Sequence, residues 1–164
     1  MMVIENKTTK VFSAGILVCA SVFLSSPAFA EWKYVENIDP MTDENQSIAF
    51  TTHSAKESAA VRCDGNGDYD LIFRVGEYLN NDQRVPVQFR IDDNEASEER
   101  TWSLSTDGMA VFAPSRYKKE LIEGLKKGSE FTIQITDYQG SRPFSKFSLE
   151  GSSAAINQLT CLPK

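Results

Sequence analysis

Histidine is nearly missing from this 164-residue chain, where His53 stands alone. That scarcity excludes most nucleophilic arrangements, which need an imidazole beside a serine or thiol, and no Gly-x-Ser-x-Gly elbow is present. Cysteine is sparse as well, at Cys19, Cys63 and Cys161. No Cys-x-x-Cys pair occurs, so no dithiol redox motif is offered, and a zinc site, which needs three or four His or Cys ligands, would have only His53, Cys63 and Cys161 beyond the first thirty residues, two of them a natural disulfide pair. Basic side chains are outnumbered, 17 Lys and Arg against 23 Asp and Glu, for a net charge of −6. An acid excess disfavours nucleic acid and anionic membrane as partners, because both attract basic surfaces. Long apolar runs are confined to the first thirty residues, and no phosphate-cradling loop, internal repeat or low-complexity tract is found.

What is there begins with a secretory signal. A polar start carrying Lys7 and Lys10 leads into an apolar stretch from Val11 to Leu24. Ser25-Ser26-Pro27 and the small-residue box Ala28-Phe29-Ala30 follow. That order of charge, apolar core, helix breaker and A-x-A box is what the export machinery and its peptidase read. The apolar run is shorter than the ~20 residues that span a bilayer. A lipoprotein reading of Cys19 needs a small residue before it, and Val18 stands there. The sequence therefore predicts a cleaved signal over 1–30 and one β-rich domain over 31–164, soluble, periplasmic or secreted, with no stable membrane insertion. The mature chain carries 15 basic and 22 acidic residues.

Cys63 and Cys161 remain after cleavage, and in an oxidising compartment a lone pair in a small domain is most simply a disulfide. Loop-closure entropy makes such a long closure worth roughly 4–5 kcal/mol.

Period-two alternation dominates the mature chain. Val85, Val87, Phe89 and Ile91 share one strand face against Gln88 and Arg90, and Phe131, Ile133 and Ile135 share another. Pro86 points to a sheet edge or the start of its strand. Weaker runs of the same kind cover 48–52, 60–63, 69–75, 100–104, 109–113 and 144–149, separated by turn clusters at 64–67, 79–82, 92–95, 106–108 and 138–141. Thr106-Asp107-Gly108 is the clearest hairpin signal. From Ser115 to Lys127 the period changes: Tyr117, Leu121, Ile122 and Leu125 recur at helical spacing, with lysines elsewhere around the axis. Ser115 is placed to cap that helix, and Gly128 to end it in a left-handed conformation. Ala155, Ile156 and Leu159 mark a short helix or turn near the end. The expected fold is mainly β, a single-domain β-sandwich or curled antiparallel sheet with one inserted α-helix, a short C-terminal helix and one disulfide.

Few residues carry chemistry. His53 lies in a polar run leaving a strand and reads as solvated. Paired carboxylates can serve a glycosidase, but acids are plentiful here and their mere presence selects nothing. The Asp64–Asp70 segment has oxygen ligands at alternate positions, yet Tyr69 and Val75 stand where a calcium loop needs glycine and glutamate, so a polar hairpin turn is expected. Residues 92–99 form an acidic stretch that reads as a solvated loop. No catalytic residue, metal ligand or cofactor is assigned. Trp102 alternates with Leu104, which places it in the core; the sharper alternative is an exposed aromatic strip for a partner.

Taken in order, Trp32, Asp39-Pro-Met-Thr-Asp43, Arg62-Cys63 and Phe89-Arg-Ile-Asp92 are followed by Trp102-x-x-Ser105-x-Asp-Gly108, Phe147-x-Leu-x-Gly151, Ala155-Ile156 and Cys161. This series resembles the VasI/TagO family of exported proteins associated with type VI secretion. The family pattern often ends in tryptophan after the last cysteine, whereas this chain ends Cys161-Leu-Pro-Lys. The resemblance implies an envelope accessory protein without assigned catalytic residues, and it adds Arg62, Arg90, Asp92 and Ser105 to Trp102 as candidate binding or structural positions. The functional expectation is a non-enzymatic periplasmic accessory or adaptor that binds an envelope or secretion-system protein. The alternative is a proteinaceous inhibitor of a lysozyme-type cell-wall hydrolase, whose basic surface an acidic domain would attract.

Overall fold

The computed structural model describes residues 31–80 and 83–163. The expected signal segment with Cys19, and part of the 79–82 turn, lie outside the described residues.

Among the described residues the alternating runs become nine strands and the helical spacings two helices. In chain order they are β1 (Lys33–Val35), β2 (Ile48–Thr52), β3 (Glu57–Cys63), β4 (Tyr69–Val75), β5 (Arg84–Ile91), β6 (Arg100–Leu104) and β7 (Val111–Phe112), then α1 (Ser115–Lys127), β8 (Glu130–Ile135), β9 (Phe144–Ser148) and α2 (Ser152–Ile156). All neighbouring strands run antiparallel, in the order β1-β2-β3-β4-β7-β6-β5-β8-β9. This is one curled sheet rather than two stacked ones. Its last strand folds back over β2, β3 and β4.

The curl encloses a single core. Val85, Val87, Phe131, Ile133, Ile135 and Phe147 point inward from the second half of the sheet, and Val61, Leu71 and Phe73 meet them from the first. Trp102, Phe89, Phe73 and Phe131 form a chain of ring contacts with centroids 4.9 to 6.1 Å apart. The free margins of β1 and β9 are bridged beside Trp32, whose backbone N–H donates to the Glu150 carbonyl (3.1 Å) and whose indole N–H donates to the Ser148 carbonyl (3.0 Å). A further polar link across the curl runs from the buried Ser145 hydroxyl on β9 to Glu57 on β3 (2.6 Å).

Strand directions fix two ends. The β1–β2, β3–β4 and β5–β6 connections share one end with both helices, and the β2–β3, β4–β5, β6–β7 and β8–β9 connections share the other. The Cys63–Cys161 disulfide forms at the helix-bearing end, with Cα atoms 5.7 Å apart.

Some local expectations are corrected. Pro86 sits at no sheet edge, because β5 lies between β6 and β8. It does lie near the start of β5, before pairing with β8 begins at Val87, so its missing N–H interrupts no ladder bond to that neighbour. Helix α1 has the expected bounds but neither expected cap: Pro114 is the residue at the N-cap with no side-chain hydrogen bond, and Gly128 is extended (φ −81°). Gly128 is needed for closeness instead, since a Cβ there would stand 2.5 Å from Ile91 Cγ2. Not every lysine of α1 faces water. Lys118 is buried, donating to the Tyr69 carbonyl and pairing with Asp68 at 3.1 Å and Asp70 at 3.8 Å. Strand β1 has no counterpart among the predicted runs; three residues are too few for alternation to register.

Candidate functional site

Each residue singled out by sequence proves to have a structural partner or a core position, with one exception. Trp102 is 1% exposed and packs on Phe73 and Phe89, so the aromatic-strip alternative is corrected: its inward parity on β6 puts it in the core. Its indole N–H has no hydrogen-bond partner among the described residues. Arg62 and Asp70 face each other across the β3–β4 ladder and pair at 3.2 Å, both partly exposed. The Asp92 carboxylate accepts the Ser129 and Glu130 amides (2.7 and 2.9 Å) and so ties the end of β5 to the start of β8. Those amides, Glu130 first, hold it below the usual carboxylate range. It forms no pair with Arg62 or Arg90. Ser105 donates to Asp107 and accepts the Ala110 amide, which shapes the β6–β7 hairpin around Gly108. Arg90, half-buried on β5, is the exception: it has no ion pair among the described residues.

The apparent calcium loop is the β3–β4 hairpin turn. Asp64 spends its carboxylate on the Asn66 and Asp68 amides (2.8 and 3.0 Å). Among the described residues no cluster of three or more His, Cys, Asp or Glu is arranged to hold a metal ion. His53 is exposed on the β2–β3 connection and borders a groove of about 330 Å³ with Ser129, Glu130, Lys146 and Ser148. Glu130 and Lys146 pair with each other there at 3.0 Å. A larger cleft, about 480 Å³, opens beside the disulfide between Tyr69, Ser115, Lys118 and Leu162. Of the two lysines that line it, Lys118 is already committed to Asp68 and Asp70, and Asp68 is held below the usual carboxylate range by the Tyr69 amide and then by Lys118.

The surface is more informative than the clefts. Six large apolar side chains are exposed among the described residues: Val35, Ile38, Met41, Tyr78, Tyr138 and Phe144. They divide three and three between the two ends of the curled sheet. The aromatic three belong to the end opposite the helices, on the β4–β5 connection, the β8–β9 hairpin and the first residue of β9. The tyrosines are held in place by backbone. The Leu79 amide donates to the Gly108 carbonyl and the Tyr138 amide donates to the Leu79 carbonyl (both 2.9 Å), which ties three connections together. Tyr78 and Tyr138 then meet edge to face with centroids 6.0 Å apart. Gly108, at φ +68°, makes room: a Cβ there would lie 2.5 Å from the Tyr78 ring and 2.3 Å from the Asn80 carbonyl. Gln139 donates to the Tyr138 hydroxyl (2.6 Å).

Sequence reasoning missed this cluster because Tyr78 and Tyr138 sit in turns, and only Phe144 lies on a predicted strand. One signal was available. With Phe147 inward on β9, parity turns Phe144 outward.

The sequence model of the family described as Invasion associated locus B (IalB) protein matches residues 41–160. None of the curated proteins matches the chain. Among solved structures, the crystal structure of invasion associated protein B from Bartonella henselae has a similar fold. The two chains are 14% identical with a TM-score of 0.52, over 79% of this chain and 92% of the Bartonella chain. These findings overturn the resemblance to the VasI/TagO family, and the type VI association goes with it. The physical reason lies in the residues that carried it. Asp39, Asp92 and Ser105 hold turns, Arg62 pairs across a hairpin, and Trp32 and Trp102 fill the core, so each serves the fold and none specifies a family's function.

Proposed function

The chain belongs to the IalB family, and from that premise we propose that it is a non-catalytic, exported protein of the cell envelope that binds another envelope protein and acts as an adaptor. Its compartment in this reading is the periplasm, reached on the signal over 1–30. The observation that carries the reading is the preformed aromatic cluster of Tyr78 and Tyr138, with Phe144 at the same end. Tyrosine and phenylalanine offer large contact area with few rotatable bonds, and interfaces are enriched in them. Anchoring the rings by backbone hydrogen bonds before a partner arrives lowers the ordering cost of association.

The test is capture from the native periplasm with the tagged chain, disulfide intact, against a Tyr78→Ser/Tyr138→Ser/Phe144→Ser variant of equal melting temperature. An envelope protein retained by the wild type and lost from the variant is the expected result. Equal recovery by both sinks the aromatic end as the binding site.

A second reading, inhibition of a cell-wall hydrolase, is favoured by the acid excess and by the exposed β5–β6 connection, where Asp93 and Glu95 have no ion pair among the described residues. A lysozyme activity assay with the mature domain separates the two readings, since an adaptor leaves the rate unchanged.

A further inference from the structure

The other three exposed apolar side chains lie at the end of β1 and on the β1–β2 connection, at the helix-bearing end. Val35 closes β1, Ile38 follows, and Met41 sits at the tip with 89% of its surface exposed. Methionine so exposed on a held loop is unusual, and this loop is held. The Gln46 amide donates to the Asn37 carbonyl (2.7 Å), the Asp39 amide to the Glu44 carbonyl (2.9 Å), and the Asp43 amide to the Asp39 carbonyl (2.9 Å). The Asp39 carboxylate accepts the Met41 and Thr42 amides (2.8 and 3.1 Å). Asn45 fastens the base to the C-terminal segment by donating to Thr160 (2.8 Å). The tip is a rigid apolar knob, so little conformational freedom is lost when it docks.

Its surroundings carry one sign of charge. Glu36, Asp39, Asp43 and Glu44 lie on the same connection, and no lysine or arginine occurs between Lys33 and Lys56. None of the four acids has an ion pair among the described residues. Elsewhere on the surface some acids are paired, as Glu99 is with Arg142, Glu123 with Lys127 and Glu130 with Lys146, and where acids go unpaired, as Asp93 and Glu95 do, no exposed large apolar side chain stands among them. An apolar tip ringed by unpaired acids is complementary to an apolar socket rimmed by lysine and arginine.

We propose that the β1–β2 hairpin is a second docking surface, at the end opposite the aromatic cluster, and that it seats Met41 in an apolar socket on a basic protein. The inference stands apart from the aromatic-end reading, because different residues carry it. If both hold, the domain bridges two proteins through its two ends.

The experiment places the photo-crosslinker p-benzoylphenylalanine at position 41, at position 138 and, as control, at position 127 in the full chain, expressed in its own cells. Position 41 is expected to give an adduct with a protein of basic isoelectric point. That adduct should fall about tenfold in a Glu36→Gln/Asp43→Asn/Glu44→Gln background, as expected when steering charges are lost. A melting temperature equal to that of the wild type serves as the folding control for the neutralised variant. Four outcomes overturn the proposal: an adduct with a second copy of this chain, one with lipid, one insensitive to the three neutralisations, or none above the control at 127. An adduct at 41 without one at 138 sinks the aromatic-end reading alone, and the reverse sinks this one alone.

Discussion

At the scale of single residues, Trp102 is the one whose two readings differ most in consequence. Buried among Phe73 and Phe89, it contributes volume, and its indole N–H has no acceptor among the described residues. Trp102→Ala should therefore cost about 3–5 kcal/mol in a urea titration, and Trp102→Phe well under half of that, since Phe keeps a ring and surrenders no hydrogen bond. A binding residue would show the opposite ordering, with stability kept and affinity lost. Glu57 gives a pH-dependent counterpart. The Ser145 hydroxyl, ahead of burial, Ser54 and His53, acts on its carboxyl, and the net effect holds it below its usual range. A carboxyl with a depressed folded pKa stabilises the fold fully above its unfolded value and loses that contribution as pH falls through the folded one. Ser145→Ala should cost on the order of 1 kcal/mol at neutral pH. The gap between its urea midpoint and that of the wild type should narrow on acidification below the carboxylate range, and a gap that holds constant would count against this account.

Secondary-structure elements were legible to different depths, for physical reasons that particular positions expose. Helix α1 has the predicted bounds because its apolar period runs unbroken from Tyr117 to Leu125. Its caps were misjudged because capping depends on the entering chain, and here Pro114 already sets an extended approach. Gly124 was not assigned a role at all. It lies mid-helix, where glycine is unfavourable by about 1 kcal/mol, and the compensation is tertiary: a Cβ there would come within 2.0 Å of Ile91 Cδ1. Gly124→Ala should then cost under about 1 kcal/mol or nothing, because turning the half-buried Ile91 end methyl aside offsets the gain in helix propensity. In an Ile91→Val background, which removes the Cδ1 atom, the same change should be stabilising. A double-mutant cycle by thermal unfolding reads that coupling directly. Lys118 escaped notice for a similar reason, since helical spacing assigns it to a face but cannot tell that Asp68 and the Tyr69 carbonyl wait there.

At the scale of the molecule, alternation in sequence assigns residues to faces without naming their neighbours. The strand faces of β5 and β8 were readable, but the order β4-β7-β6-β5 was not, because Phe73 and Val111 meet only through tertiary pairing. The disulfide was readable because only two cysteines, Cys63 and Cys161, lie outside the expected signal segment. It closes 98 residues of chain, so Cys63→Ser/Cys161→Ser should lower stability by roughly 4–5 kcal/mol in a denaturant titration. The surfaces were the least legible, because the exposed apolar residues sit in turns, where composition alone marks polarity. The hydrogen bonds from Trp32 to Ser148 and Glu150 carry a further consequence. They hold the beginning of the described chain against the strand that ends the sheet, before α2 and the C-terminal segment follow. A chain held there can be cut elsewhere. Joining residue 31 to the C-terminal segment through a flexible linker long enough to run back past α2, and reopening the backbone at Gln139-Gly140, should yield a rearranged gene product that refolds with the same curled sheet.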